Sequence, residues 1–125
     1  ALISAGVTAI YERQMSTDPV NTAVLNLGIA PAPVERSIRN LPLTDQEYDD
    51  YARLAGRTVK MNLDRIVPSV MFQRLSNAER FEVVKETIRQ GREAASGLVM
   101  MKYPHIPRDA AVAQVARKTG QPVKP

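Results

Sequence analysis

Leu43-Thr44-Asp45-Gln46-Glu47-Tyr48 is the stretch on which the architecture turns. Thr44 and Glu47 stand three residues apart, the spacing of a capping box, in which each side chain accepts an otherwise orphaned backbone N–H of the other. Leu43 and Tyr48 occupy the hydrophobic-staple positions on either side. Asp45 and Glu47 bring negative charge to the positive end of the helix dipole. Behind this start signal, Tyr48, Tyr51, Ala52, Ala55, Val59, Leu63 and Ile66 recur at threes and fours, which predicts one apolar face of a helix that Pro68 interrupts.

Downstream, Ser76-Asn77-Ala78-Glu79 repeats the capping box. Phe81, Val84, Ile88, Gly91, Ala95 and Leu98 continue as a helical stripe to about Met101. Gly91, Ala94, Ala95 and Gly97 make the second half of that helix slim, so another helix can approach closely. The link between the two helices, with two turns' worth of helix in residues 68–75, is short enough for an antiparallel hairpin over 44–101.

Upstream, Leu2, Ile3, Val7, Ile10, Tyr11 and Met15 fall on one face of an amphipathic helix. The chain opens at Ala1 with neither Met nor N-cap, as a helix belonging to a longer or processed polypeptide would; a membrane-active segment is the sharper alternative. The apolar run of residues 1–10 falls short of the roughly 20 residues that a bilayer span needs. Asp18-Pro19 predicts an N-cap and first-turn proline, with a stop at Gly28. From Ile29 to Leu43, Pro31, Pro33 and Pro42 break helical periodicity and favour extended backbone, with a brief strand or turn at Ser37-Ile38-Arg39-Asn40. This arm is expected to bury little by itself. It is either an ordinary connector or an arm laid on a neighbouring subunit, with Ile29, Pro31, Pro33, Val34, Ile38 and Leu41 as candidate partner contacts. Tyr103-Pro104-His105-Ile106-Pro107 should end the second long helix, and a weakly amphipathic helix follows from Arg108 to Lys118.

The expectation is an all-α chain of about five helices, with a central antiparallel helical hairpin and an extended Pro-rich arm, and not a self-sufficient globule. Its segments are an N-terminal helical piece (1–28), the arm (29–43), the hairpin (44–101) and a basic C-terminal helix and tail (102–125). Of the 125 residues, 44% are hydrophobic but none is Trp, so the core lacks its largest anchors. The absence of Cys excludes disulfides, thiolate zinc sites and cysteine nucleophiles, and a single His excludes a two-histidine metal site within the chain. The net charge of +4 is localised. Acids and bases balance through residue 101, and beyond it Lys102, Arg108, Arg117, Lys118 and Lys124 face only Asp109. Arg117, Lys118 and Lys124 are therefore the candidate nucleic-acid contacts, with simple solubility as the plainer role.

Other constellations point away from chemistry. Asp45, Glu47, Asp49 and Asp50 could hold a hard cation, or a pair of them could work as acid and base, but no glycine-centred calcium loop accompanies them. Their plainer role is helix capping, with Arg53 placed to pair with Asp49 and Asp50. His105, flanked by Pro104, Ile106 and Pro107, sits where a rigid loop could aim an imidazole, but catalysis would need a nucleophile or carboxylate supplied from elsewhere; a structural or exposed loop histidine is expected. Arg89 with Glu93, and Glu82 with Lys85, have the spacing of solvated helix pairs. There is no Gly-rich phosphate loop, no Gly-x-Ser-x-Gly elbow and no DNA-recognition helix pattern. No catalytic residue, cofactor or metal is expected.

Pro42-Leu43-Thr44-Asp45-Gln46-Glu47-Tyr48-Asp49-Asp50-Tyr51-Ala52-Arg53-Leu54-Ala55-Gly56 resembles a segment near the C-terminus of the giant internal virion, or ejection, proteins of tailed bacteriophages and the related large polyvalent proteins. The likeness extends over about residues 28–97. In that family a Pro-rich arm precedes a Leu-Thr-x-x-Glu-Tyr helix, and a second helix rich in Lys, Arg, Glu and Ala follows. Ile38-Arg39-Asn40 stands at the arm's turn, without the Asn-Gly expected there. The resemblance implies a structural segment of the virion, packed near portal or tail and leaving with the DNA during genome delivery. Its implied partners are other virion proteins (portal, tail or copies of itself), packaged DNA through the basic tail, and a membrane during ejection. The alternative is a small helical adaptor whose basic tail contacts nucleic acid.

Overall fold

The computed structural model describes residues 18–120, and 73% of them are helical. Helix α1 (Pro19–Asn26) is followed by a two-stranded hairpin, β1 (Ser37–Ile38) and β2 (Leu41–Pro42). Then come α2 (Asp45–Ile66), the single turn α3 (Val70–Gln73), α4 (Asn77–Lys102) and α5 (His105–Thr119). The amphipathic stretch at 2–15 and Lys124 lie outside the described residues.

Both capping boxes form. Thr44 Oγ1 accepts the Glu47 N–H at 3.2 Å while Glu47 Oε1 accepts the Thr44 N–H at 2.8 Å. Ser76 and Glu79 reciprocate in the same way at 3.2 and 2.9 Å. Asp18 caps α1 through the Val20 and Asn21 amides, and Gly28 closes it at φ 84°.

Helices α2 and α4 fold back on each other as an antiparallel pair. Their closest approach is at Gly91: a Cβ there would stand 2.7 Å from Val59 Cγ2 and 3.1 Å from Val59 Cα. Ala55 and Ala95 are buried nearby, together with Val34. Toward the α2–α4 connection the core is Val24, Leu63, Val67, Phe72 and Val84. At the other end it is Ile38, Leu43, Val99 and Ile106. The buried row on α4 runs through Val84, Gly91, Ala95 and Val99; Leu98, expected to continue it, is 47% exposed. A stripe of 3.6-residue period drifts around a long helix, so the partner meets Val99 in the last turns and Leu98 is left on the flank.

The arm departs from the expectation that it buries little. Val34 and Ile38 are among the buried residues, packed against this chain's own helices. Tyr48 donates its hydroxyl to the Val34 carbonyl at 3.1 Å, and Arg92 donates to the Ala32 carbonyl. Arg36 lies 4.4 Å over the Tyr48 ring and pairs with Asp45 at 2.5 Å. Ile38 pairs with Leu41 across a two-residue turn in which Arg39 (φ 51°) and Asn40 (φ 66°) are both left-handed, the type I′ geometry that Asn-Gly usually supplies.

The last helix begins three residues earlier than the sequence pattern predicts. Prolines 104 and 107 fall at its N-cap and first turn, where no intrahelical N–H donor is needed. Gly91→Ala should lower stability by about 1–3 kcal/mol net, because the added Cβ would collide with Val59 Cγ2 and crowd the Val59 backbone, more than cancelling the roughly 1 kcal/mol that alanine gains over glycine in a helix. Urea unfolding followed by circular dichroism would measure it, and a stabilised variant would show that the close approach is unimportant.

Candidate functional site

The densest polar arrangement lies where the first turns of α2 meet the corner between α4 and α5. The acidic run at 45–50 is dispersed there rather than gathered. Asp45 turns to Arg36 of the arm. Glu47, buried, serves two elements: Oε1 takes the Thr44 amide, and Oε2 takes Nε2 of His105 at 2.7 Å. Asp50 Oδ2 accepts from Lys102 Nζ at 2.7 Å and from the Tyr103 hydroxyl at 2.5 Å. The sequence pattern assigns Arg53 to Asp49 and Asp50. In the fold, Arg53 contributes only at longer range to Asp50, whose hydrogen-bond partners come from α4 and its end.

These contacts set the protonation states. The Lys102 ammonium and Tyr103 hydroxyl bonded to Asp50 hold its carboxyl below the usual range. In return Asp50 raises both Lys102 and Tyr103. His105, expected in a loop, is the first residue of α5; its ring stands edge-on to Tyr103, 6.3 Å between centroids.

Chemically the arrangement is a clasp. Both Glu47 oxygens are committed, and among the described residues no buried side-chain nitrogen or oxygen lacks a partner. Among the same residues no group of three or more His, Asp or Glu could hold a metal ion. Within the corner, Glu47 faces His105, and Asp50 faces Lys102 and Tyr103.

The sequence-selected residues separate into three sets. Thr44, Glu47, Ser76 and Glu79 cap helices. Of the six candidate partner contacts, Val34 and Ile38 are occupied by this chain's own core, so they are corrected to internal contacts. Ile29 and Leu41 are half-buried against that core, Pro31 is half-buried, and Pro33 is exposed. Arg117 and Lys118 are exposed in the last turn of α5. On the outer face of α4, Arg89 pairs with Glu93 as the spacing predicts. It also grips Glu86 through two nitrogens, taking that carboxyl down to about 2. Lys85, assigned by spacing to Glu82, instead lies 5.2 Å over the Phe81 ring.

The Glu47–His105 and Asp50–Tyr103 links were not legible in the sequence. Their partners are more than fifty residues apart in the chain, and no local spacing rule connects them. The one available signal is the surplus of carboxylates in the first turns of α2, more than capping requires.

Glu47→Ala should cost about 2–3 kcal/mol, more than Glu79→Ala, since Glu79 only caps on the surface and Glu47 also anchors α5. Equal losses in urea unfolding would mean that the His105 contact contributes nothing. Asp50 has a folded pKa below its unfolded value of about 3.9. Its stabilisation is therefore full above that value and fades as pH falls through the lower folded pKa. Lys102 and Tyr103 are raised in the fold, so their contribution is full below about 10 and fades above it. Asp50→Asn should flatten the pH dependence of the melting temperature on both sides; an unchanged profile would show that the clasp is not coupled to folding.

No protein-family model, no curated protein and no solved structure matches this chain.

Proposed function

We propose that this chain is a structural segment of a tailed-phage virion, part of an internal or ejection protein that packs near the portal or tail and leaves with the DNA during genome delivery. It does no chemistry of its own. The observation that carries this reading is the commitment of the polar groups at the α2–α5 corner. The residues of the 42–56 stretch that resembles the phage family are used to hold the arm, α4 and α5 together, not to face a substrate. Such a clasp suits a part that must keep its shape among neighbours.

Contact with portal, tail or further copies would use apolar side chains that the fold leaves outside. Val70 and Met71 at the α2–α4 connection are 68% and 78% exposed. Val112 and Val115 on α5 also stand open. Single exposed apolar residues are ordinary; adjacent pairs of this size are the ones worth mutating.

The second reading, a helical adaptor for nucleic acid, is favoured by Arg117 and Lys118 at the exposed end of α5, where no acid follows Asp109. Peptides of residues 42–56 should be recovered by mass spectrometry from purified particles made by the genome that encodes the chain, and be depleted after triggered DNA release. Their absence from particles would overturn the virion reading. Salt-dependent duplex binding that Arg117→Ala/Lys118→Ala abolishes would favour the adaptor instead.

A further inference from the structure

The corner between α2, α4 and α5 is held by two polar contacts of different kinds. Asp50 takes Lys102 and Tyr103, which belong to the last turn of α4 and its C-cap. This contact fixes the end of α4 and does not reach α5. Glu47 takes His105, the first residue of α5. Between the two lies the bend, where Tyr103 leaves the helical region at φ −123° and ψ 79° and Pro104 follows. The break in helical backbone is thus one residue wide, anchored on one side and latched on the other.

Beyond the latch, α5 is lightly held. Ile106 packs with Ile38, Leu43 and Val99, and Ala110 is buried. From Ala111 to Thr119 only Ala113 and Ala116 are even half-buried, and Val112 and Val115 stand in the open. Among the described residues, the other side-chain hydrogen bonds of α5 stay within it, Arg108 to Asp109 and Thr119 to the Val115 carbonyl. Helices α2 and α4 open on capping boxes, whereas α5 opens on Pro104 with no side-chain cap. A helix of this length depends on packing more than on propensity. Segments with few buried contacts open at a lower cost than the fold as a whole.

We infer that α5 is a hinged lid, turning about Tyr103 and closed by the Glu47–His105 contact. When the latch parts, Ile106 and Ala110 leave their seat, and the floor of Ile38, Leu43 and Val99 loses its cover. The rest of the fold is built to survive that step. Glu47 Oε1 stays on the Thr44 amide, so the start of α2 keeps its capping box. Asp50 keeps Lys102 and Tyr103, so α4 keeps its end. The closed form therefore hides an apolar floor, with a buried carboxylate beside it, that the open form presents. The inference stands on these contacts, independently of the proposed virion role.

The chain contains no cysteine, so single thiols can report on each region of the full-length protein. Ala110→Cys, on the lid, and Val84→Cys, in the cluster under α1, both replace buried residues. Under native conditions the Ala110→Cys thiol should react with iodoacetamide faster than the Val84→Cys thiol. Adding His105→Ala should speed the Ala110→Cys reaction about tenfold, the effect of losing one hydrogen bond. Adding Phe72→Leu weakens a contact that opening the lid leaves intact. It should therefore speed Val84→Cys and leave Ala110→Cys unchanged. If Phe72→Leu speeds both thiols alike, α5 opens only with the whole fold and there is no lid. If His105→Ala leaves Ala110→Cys unchanged, the Glu47–His105 contact is not the latch. Amide hydrogen exchange in the unsubstituted chain gives a second reading that needs no thiol. Amides of residues 109–113 should exchange faster than those of buried α4 positions, and equal protection would overturn the inference.

Discussion

Everything else in this fold is arranged around the contact between Gly91 and the backbone of Val59. Without a side chain at Gly91 the two long helices approach until a Cβ would collide, and the small residues Ala55 and Ala95 keep them close one turn away. Aromatic residues are few and Trp is absent, so this core gains little from large anchors. It relies on close packing, where dispersion grows from many short contacts. The narrow seam is flanked by α1 on one side, through Val24, and by the arm on the other, through Val34, and this packing lets a thin apolar composition bury more surface.

The corner at the far end of the pair is held in another way. Helix α5 buries Ile106 and Ala110, too little apolar area to settle its position firmly. Glu47 and Asp50 supply what packing does not, by reaching from α2 to His105, Lys102 and Tyr103. An ion pair on an open surface contributes little. Glu47 is buried, however, and its carboxylate already belongs to a capping box, so it meets His105 with little further loss of side-chain freedom. The same groups tie the start of α2 to the end of α4 and the start of α5.

Local chemistry was legible in the sequence to a considerable depth. Both capping boxes, the Asp18-Pro19 start, the Gly28 stop and the antiparallel pairing of 44–66 with 77–101 follow from interactions between residues within about one helical turn, or from apolar periodicity. Such features survive in any tertiary setting that keeps the helix. Where the reading strayed, the physics was long-range. The prolines of the arm show where helix is impossible, but not that Val34 and Ile38 would find a groove. Pro104 and Pro107 look like breakers, yet at a helix start they cost nothing. The drift of the α4 stripe from Leu98 to Val99 depends on how α2 crosses it.

The candidate site divides along the same line. Thr44, Glu47, Ser76 and Glu79 were determined by sequence alone as capping residues, because a capping box closes within four residues. That Glu47 would also bind His105, and that Asp50 would take Lys102 and Tyr103 in preference to Arg53, was decided by the tertiary structure. These pairings need α2 and α4 to lie side by side, and they win because the fold brings the α4–α5 corner within hydrogen-bond distance of those carboxylates. The sequence determined which segments are helical and where they begin; only the packed pair decided which faces remained open and which charges met.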